Sequence, residues 1–407
     1  MRQRATLFCL SHPKRTHAVK FLHTSDWHVG KTLKGRNRLE EQARVLREIT
    51  QITIDNDVDA VLIAGDIYEN AAPTADAQKL IVRTLLHLAK QNIEVVVIAG
   101  NHDHGATFEA YRPLMDVAGI HVYGQARPAN KGGVHTFRAK STNEAVNVAV
   151  LPFLSQRYAV RAAEIIANTP SQNVGAYDQL VRDVLANLTG AFTTDAVNII
   201  MAHLTCTGGA FGGGERPAQS IMEYHVPAAI FPVEAHYVAL GHLHRRQQIP
   251  AACPVHYSGS PYAIDFGEQN NTHVVCLVEA TPGTPAEITD IPVTTGRRLR
   301  TVEGTVAQLT ADPAGYGEDY LRLVVTQPAY AGMRDDLYEA LPNALQILIH
   351  PDHASTGATA GIGVDQPVKT PAQLFADYCH SIGVSDDRVT ALFNQLHDDL
   401  TRSTTRP

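Results

Sequence analysis

The chain has 407 residues, 34 Lys and Arg against 41 Asp and Glu, a net charge of −7, and 44% hydrophobic and 18% charged residues. That length calls for two or three domains, and that composition for globular units able to bury full cores. The acidic balance excludes binding of nucleic acid through a global basic field, so a phosphodiester substrate has to be drawn in by metal ions and local cations.

The first residues place Arg2, Arg4, Lys14 and Arg15 around a short apolar run at 5–10. They lack the longer apolar stretch and cleavage site of a signal peptide and read as an N-terminal extension, 1–18, with the natural beginning near Val19. From there strand and helix alternate. Residues 19–24 read as a strand, and 38–54 as a helix with Leu39, Ala43, Leu46 and Ile49 on one face. Residues 60–64 form a continuous apolar strand of the kind buried on both faces of a sheet. A helix at 75–90 starts behind Pro73 and Thr74, and then come a strand at 94–99, a helix at 107–118 and a strand at 120–123. Alternation at this spacing predicts an α/β sheet with crossover helices.

Further along, a strand at 147–151 stops at Pro152, helices follow at 157–167 and 177–188, and a strand at 197–202. Residues 207–216 make a glycine-rich loop outside any packed element, a mobile lip. A strand at 236–240 precedes three, at 255–257, 273–279 and 287–291, that read as antiparallel strands closing a domain over 19–293. After the basic connector 294–300, residues 299–351 read strand, strand, helix, strand, a small α+β unit. Residues 354–369 form a flexible linker, and 370–407 a tail of two amphipathic helices joined at Gly383. No apolar run approaches the roughly 20 residues that span a bilayer. The five cysteines are far apart with no C-x-x-C pair, which points to a reducing cytoplasm and away from disulfides or a thiolate zinc site.

Five polar clusters follow apolar strands: Asp26-Trp27-His28; Gly65-Asp66-Ile67-Tyr68-Glu69; Gly100-Asn101-His102-Asp103; Ala202-His203; and Gly241-His242-Leu243-His244. In an open α/β sheet all five fall on the carboxyl edge, where ligands bind. Carboxylate, imidazole and amide oxygen suit divalent ions such as Mn²⁺, Fe²⁺ or Zn²⁺. The donors suffice for two ions, a pair that can activate water and stabilise both ends of a displacement at phosphorus.

The ordered set resembles the calcineurin-like metallophosphoesterase superfamily. Within it, His23-Thr-Ser-Asp-Trp-His28, Leu151-Pro-Phe-Leu-Ser-Gln-Arg157 and Tyr257-Ser-Gly-Ser-Pro261 are similar to the SbcD family, nuclease subunits of bacterial double-strand-break repair. The resemblance implies an α/β sandwich of two mixed sheets flanked by helices, a small capping domain that binds DNA, and a helical tail. It implies that Asp26, His28, Asp66 and His244 hold one ion, usually Mn²⁺, and that Asp66, Asn101, His203 and His242 hold the second. His102 would protonate the leaving oxygen, with Asp103 orienting its imidazole. The family works as an ATP-regulated 3′–5′ double-strand exonuclease and single-strand or hairpin endonuclease in replication, recombination and repair. Its tail binds the coiled coil of the ATPase SbcC, and it forms a homodimer at the nucleoid. Glu69 stands where archaeal and eukaryotic relatives carry His, and fits the bacterial branch.

Two further readings stay open on the residues alone. The same metal core would serve a stand-alone phosphoesterase acting on small molecules or phosphoproteins, or a scaffold bridging DNA to an ATPase. Lys31, Lys34, Arg36 and Arg38 follow the first cluster as either a solvated run or phosphate contacts, with Glu69 beside them as a further DNA-positioning candidate. His87, His104, His121, His225, His256 and His273 read as structural.

Overall fold

The computed structural model describes residues 18–154, 177–215 and 225–353, together with Phe375, Cys379, Arg388, Val389, Leu392 and Phe393. The expected helix at 157–167, the linker and most of the tail lie outside the described residues, as does the extension up to residue 17. The described residues up to Gln327, with Ala331–Leu348, form one compact unit; Pro328–Tyr330 and the described residues from Ile349 onward belong to a second.

The first unit opens with β1 (Val19–Thr24), a small hairpin of β2 (Thr32–Leu33) and β3 (Arg36–Asn37), α1 (Leu39–Asp55), β4 (Ala60–Ala64), α2 (Ala75–Lys90), β5 (Glu94–Ile98), α3 (Gly105–Val117) and β6 (Ile120–Tyr123). Then come β7 (Val134–Arg138), β8 (Ala145–Leu151), α4 (Tyr177–Thr189), β9 (Ala196–His203), β10 (Thr205–Cys206), β11 (His225–Val226), β12 (Tyr237–Gly241), β13 (Gln247–Ile249), β14 (Val255–Tyr257), β15 (Val274–Thr281) and β16 (Thr284–Pro292). Last are β17 (Leu299–Gly304), α5 (Val306–Leu309), β18 (Tyr320–Val325), α6 (Met333–Ala340) and β19 (Ala344–Ile349).

Two six-stranded sheets carry the described fold, in the orders β16-β15-β1-β4-β5-β6 and β13-β14-β12-β9-β8-β7. Strands β1, β4, β5 and β6 run parallel, and β15 and β16 add antiparallel at one edge. β8, β9, β12 and β14 also run parallel, with β7 and β13 antiparallel at the two edges. Both sheets are therefore mixed. β14 corrects the expectation of an antiparallel strand: Val238 pairs with Val255 in parallel register, because the short edge strand β13 makes the return.

The layers follow from side-chain alternation. Val61, Ile63, Val95 and Val97 pack outward against Val45, Leu46 and Ile49 of α1 and Ile81, Leu85 and Leu88 of α2. Leu62, Ala64, Val96 and Ile98 point inward to meet Val148, Val150, Ile199 and Met201 of the second sheet. α4 covers that sheet's outer face with Leu180, Val184, Leu185 and Leu188. The result is an α/β/β/α sandwich in which β4 and, after Glu94, β5 are buried on both faces and have to be apolar. Each fully buried aliphatic side chain contributes roughly 1.5–3 kcal/mol. Thr74 caps α2 through its hydroxyl and Ala77 N, which fixes where that helix begins.

A separate three-stranded sheet, β17-β18-β19, lies in the same compact unit. Leu33, Ala263, Phe266, Leu299 and Tyr320 form the cluster that joins it to the body. Arg38 belongs to this seam. It is buried, bonds both Glu41 oxygens at 2.7 and 2.8 Å, and lies over Tyr262. That removes it from the candidate phosphate contacts: the carboxylate and ring faces at this junction already hold its guanidinium.

A candidate two-metal centre

The loops after β1 and β4 run side by side: Asp26 N donates to Gly65 O, His28 N to Asp66 O and Val29 N to Ile67 O, each at 3.0 Å. The first loop is anchored by buried Trp27, whose Nε1 donates to Thr24 Oγ1 at 2.9 Å. Four of the expected ligands take left-handed backbone, with φ of 53° at Asp26, 44° at His28, 51° at Asp66 and 100° at His242. Such conformations cost of order 1–3 kcal/mol each and persist where the surroundings dictate them. Here the paired loops do so. A Cβ on Gly100 would run into the Asp66 carboxylate, so the third loop reaches the site only with glycine there.

The five sequence clusters converge on one place. Asp26, His28 and His244 form one group of ligand atoms, and Asp66, His203 and His242 another, each within 4.8 Å. Asp66 Oδ2 faces both, 3.6 Å from His28 Nε2 and 3.4 Å from His203 Nε2. Asn101 Oδ1 joins the second group, 2.8 Å from His242 Nδ1 and 3.0 Å from His203 Nε2.

The donor set fits divalent ions on three observations. First, the far nitrogen of three imidazoles is engaged by an oxygen acceptor: His28 Nδ1 by Glu69 at 2.9 Å, His203 Nδ1 by Ala64 O at 2.8 Å and His244 Nδ1 by Glu268 at 2.6 Å. Each then has its Nε2 lone pair free for a cation, the usual outer support of metal-binding histidines. Second, His28 Nε2 and His244 Nε2 face each other at 3.2 Å, close enough to share one cation. Third, burial alone would lower His203 and His244, yet Asp66 lifts the one to about 9 and Glu268 the other to about 10. In both groups neighbouring carboxylates thus favour positive charge. Burial alone would raise Asp66, but His203 and His28 hold it well below the usual carboxylate range, whereas burial leaves Asp26 raised.

His102 stands beside both groups, its ring 4.6 Å from that of His28. Its Nδ1 lies 2.7 Å from Glu69 O, and its backbone N donates to Asp66 Oδ1 at 2.8 Å. The Glu69 carbonyl thus engages the ring that Asp103 was expected to orient. Asp103 instead accepts from Ile67 N, Tyr68 N and Gly100 N, clasping two loops together, because three convergent N–H groups take up its oxygens. Burial, then His28, brings His102 down to about 4 against the pull of Asp66 and Glu69, so the ring is neutral at ordinary pH.

The structure parts the DNA-contact candidates. Lys31 bonds Glu69 at 2.8 Å, and that carboxylate, held near 2 by His28 and Lys31 against its burial, works within the site. Arg36 donates to Pro342 O, reaching the three-stranded sheet, while Lys34 is exposed at the turn of the β2–β3 hairpin.

Several working residues lie outside the five clusters. Glu268 is wholly buried and also accepts from Ile264 N at 2.7 Å. Ser25 donates to Asp26 at 2.5 Å and meets Ser258 at 2.8 Å. Phe153 stacks on His242 at 6.1 Å. Glu215 closes the glycine-rich lip: it accepts from Gly212, Gly213 and His244 N–H, which ties the end of the loop to the site while residues 207, 208, 210 and 211 stay exposed. An acid directly behind three glycines was the available signal for it.

Known proteins are similar to this chain in sequence. A family model described as calcineurin-like phosphoesterase matches residues 19–246. Over 285 residues the chain is 38% identical to the SbcD component of the nuclease SbcCD of Bacillus subtilis, covering 69% of this chain and 71% of that protein. The corresponding protein of Rhodobacter capsulatus is 31% identical over 284 residues, 65% of this chain and 67% of that one. That of Escherichia coli K12 is 28% identical over 302 residues, 72% and 73%.

Proposed function

From a chain that belongs to the calcineurin-like phosphoesterases, in the SbcD family of nuclease components, we propose hydrolysis of DNA phosphodiester bonds by a Mn²⁺ pair as the nuclease half of a complex with an SbcC-type ATPase. The observation that carries this is Asp66 Oδ2, placed between the two groups of imidazole and carboxylate donors, 3.6 Å from His28 Nε2 and 3.4 Å from His203 Nε2. Asp26, His28, Asp66 and His244 would hold one ion, and Asp66, Asn101, His203 and His242 the other. When bound, such a pair supplies an activated water and neutralises charge developing at phosphorus.

The protein's own part is positioning. Glu69 holds His28 through its carboxylate and His102 through its carbonyl, so one residue sets the distance between the ions and the acid–base group. His102 donates to the leaving oxygen once the anionic phosphodiester has raised it from its low resting value, so proton delivery waits for substrate. Lys34 and Arg36, between the site and the three-stranded sheet, suit contacts to the DNA backbone that carry no sequence information. Action as a 3′–5′ double-strand exonuclease and hairpin endonuclease under ATP control, in the cytoplasm at the nucleoid, completes the reading; no helix among the described residues is long and apolar enough to cross a membrane.

Two surfaces support assembly. α3 buries no residue fully and exposes Tyr111, Leu114 and Val117, a face suited to a second copy of the chain. In the tail, Phe375 stacks on Phe393 at 4.1 Å while Val389 and Leu392 stay exposed, suiting a helix pair that docks on a coiled coil.

The reading is tested with purified protein and Mn²⁺ on hairpin DNA and on bis-p-nitrophenyl phosphate, with and without the ATPase. Cleavage of both is expected; cleavage of the ester but never of DNA, even with the ATPase, returns the protein to the stand-alone phosphoesterases. Deleting residues 370–407 should abolish co-purification with the ATPase and spare ester hydrolysis, and retained co-purification would make the tail purely structural.

A further inference from the structure

A second meeting of histidines and carboxylate lies at the other end of β5. Glu94 opens that strand, while Asn101–Asp103 follow its close. Glu94, Val96 and Ile98 share the inward face, and His121 pairs opposite Val96 on the edge strand β6, so it faces inward as well. His135 comes from β7, the edge of the other sheet, where it pairs with inward-facing Val148. Two edge strands of different sheets thus close the rim of the apolar layer with polar side chains.

Their atoms converge. Glu94 Oε1 lies 2.7 Å from His135 Nε2 and 3.0 Å from His121 Nε2, and the two rings are 4.3 Å apart, centroid to centroid. Each ring's other nitrogen is already engaged: His121 Nδ1 by Asp116 at 3.1 Å and His135 Nδ1 by the Tyr123 hydroxyl at 2.9 Å. Oxygen partners on both Nδ1 atoms hold both Nε2 atoms toward Glu94, the support found behind metal-binding imidazoles. Ligand atoms around a tetrahedral zinc lie roughly 3.3 Å apart, from bonds of about 2.0–2.1 Å, so the two Glu94–histidine distances have to open by about 0.3–0.6 Å. Side chains exposed by 27% at Glu94 and 23% at His121 leave the place reachable from solvent.

We propose that Glu94, His121 and His135 form a third divalent-metal site, of zinc type, that clips the open edges of the two sheets together. Two imidazoles and one carboxylate make a borderline donor set that suits zinc better than the hard ions, and a fourth position stays open to water or a further ligand. Asp116 and Tyr123 are its supporting residues. The site lies outside the catalytic groups and stands whether or not the nuclease reading does.

The full chain is stripped of metal, loaded with Zn²⁺, desalted and analysed for zinc per chain, beside His121→Ala and His135→Ala. Wild type is expected to hold one more zinc than either variant, while the variants hydrolyse bis-p-nitrophenyl phosphate with Mn²⁺ at the wild-type rate, which also shows that they fold. Zn²⁺ should raise the melting temperature of wild type by more than that of the variants. Glu94→Gln, which keeps the shape and loses the charge, guards against a folding defect and should also lose the extra ion. Equal zinc in wild type and Glu94→Gln, or in wild type and both histidine variants, overturns the proposal.

Discussion

Two groups of histidine and carboxylate join the sheets of this sandwich, and they are built in opposite ways. At the carboxyl ends of the strands, Asp26, His28, Asp66 and His242 all leave regular structure through left-handed backbone and are buried to within a few per cent. At the rim, Glu94, His121 and His135 lie inside ordinary strands and keep partial access to water. The first group stores strain to aim its ligands before any ion arrives, while the second takes its geometry from strand pairing at no conformational cost. Pre-organisation at such cost makes sense where chemistry has to be aimed; a clip needs only donors within reach.

If that contrast holds, the largest loss should come from the residue shared by both catalytic groups. Asp66→Ala is expected to release both ions and to reduce ester hydrolysis by about a thousandfold or more, since Lewis-acid stabilisation is worth several kcal/mol. Metal analysis that still finds two ions at the catalytic groups would remove Asp66 from its bridging position. Next comes His102→Ala, expected to lower turnover by roughly 10²–10⁴-fold with metal content unchanged. Loss of metal in that variant would make His102 a ligand and dissolve the distinction between aiming and binding.

Glu268→Gln sharpens the comparison at smaller scale. Glu268 touches no substrate but holds His244 Nδ1 at 2.6 Å, so weakening it should cost about 10–100-fold in metal affinity. Raising Mn²⁺ should then restore turnover, a rescue that a general folding defect would not allow.

How much of this could be read in the residues follows from the same contrast. The strands β1, β4 and β6 and the helix α2 are found at their expected bounds, since long apolar runs and the Thr74 cap are local signals. The short edge strands β7 and β13 were missed because edge strands carry only half a pattern and few residues. The proposed ligands could be read as a set because each cluster sits within a few residues of a strand end. Glu268 could not, since its partner is brought near only by the fold, and Glu215 left only the hint of an acid behind three glycines. The rim group left still less trace: one ligand from each of three strands, at 94, 121 and 135, forms no motif, and His121 alone reads as structural.

The smallest expected effect separates a proton from an ion at the rim. Burial opposes charge on Glu94, yet the bonds from His121 and His135 bring its carboxyl down to about 2 from an ordinary 4.5, and Glu94, then Asp116, raises His121. A depressed acid contributes stability in full above its unfolded value, and that contribution is lost as pH falls toward 2. A raised imidazole contributes in full below 6.5, and loses it as pH rises through its folded value. In metal-free protein both contributions are therefore complete only between pH 4.5 and 6.5. The destabilisation caused by Glu94→Gln should be greatest in that window, read as melting temperature against pH, and should shrink in alkali as His121 loses its proton. Zn²⁺ should change the shape of that curve. An ion in place of the proton keeps the carboxylate engaged at alkaline pH, so with zinc the gap between wild type and Glu94→Gln should persist above the histidine range. A gap that closes in alkali equally with and without zinc would mean that the rim holds a proton and nothing more.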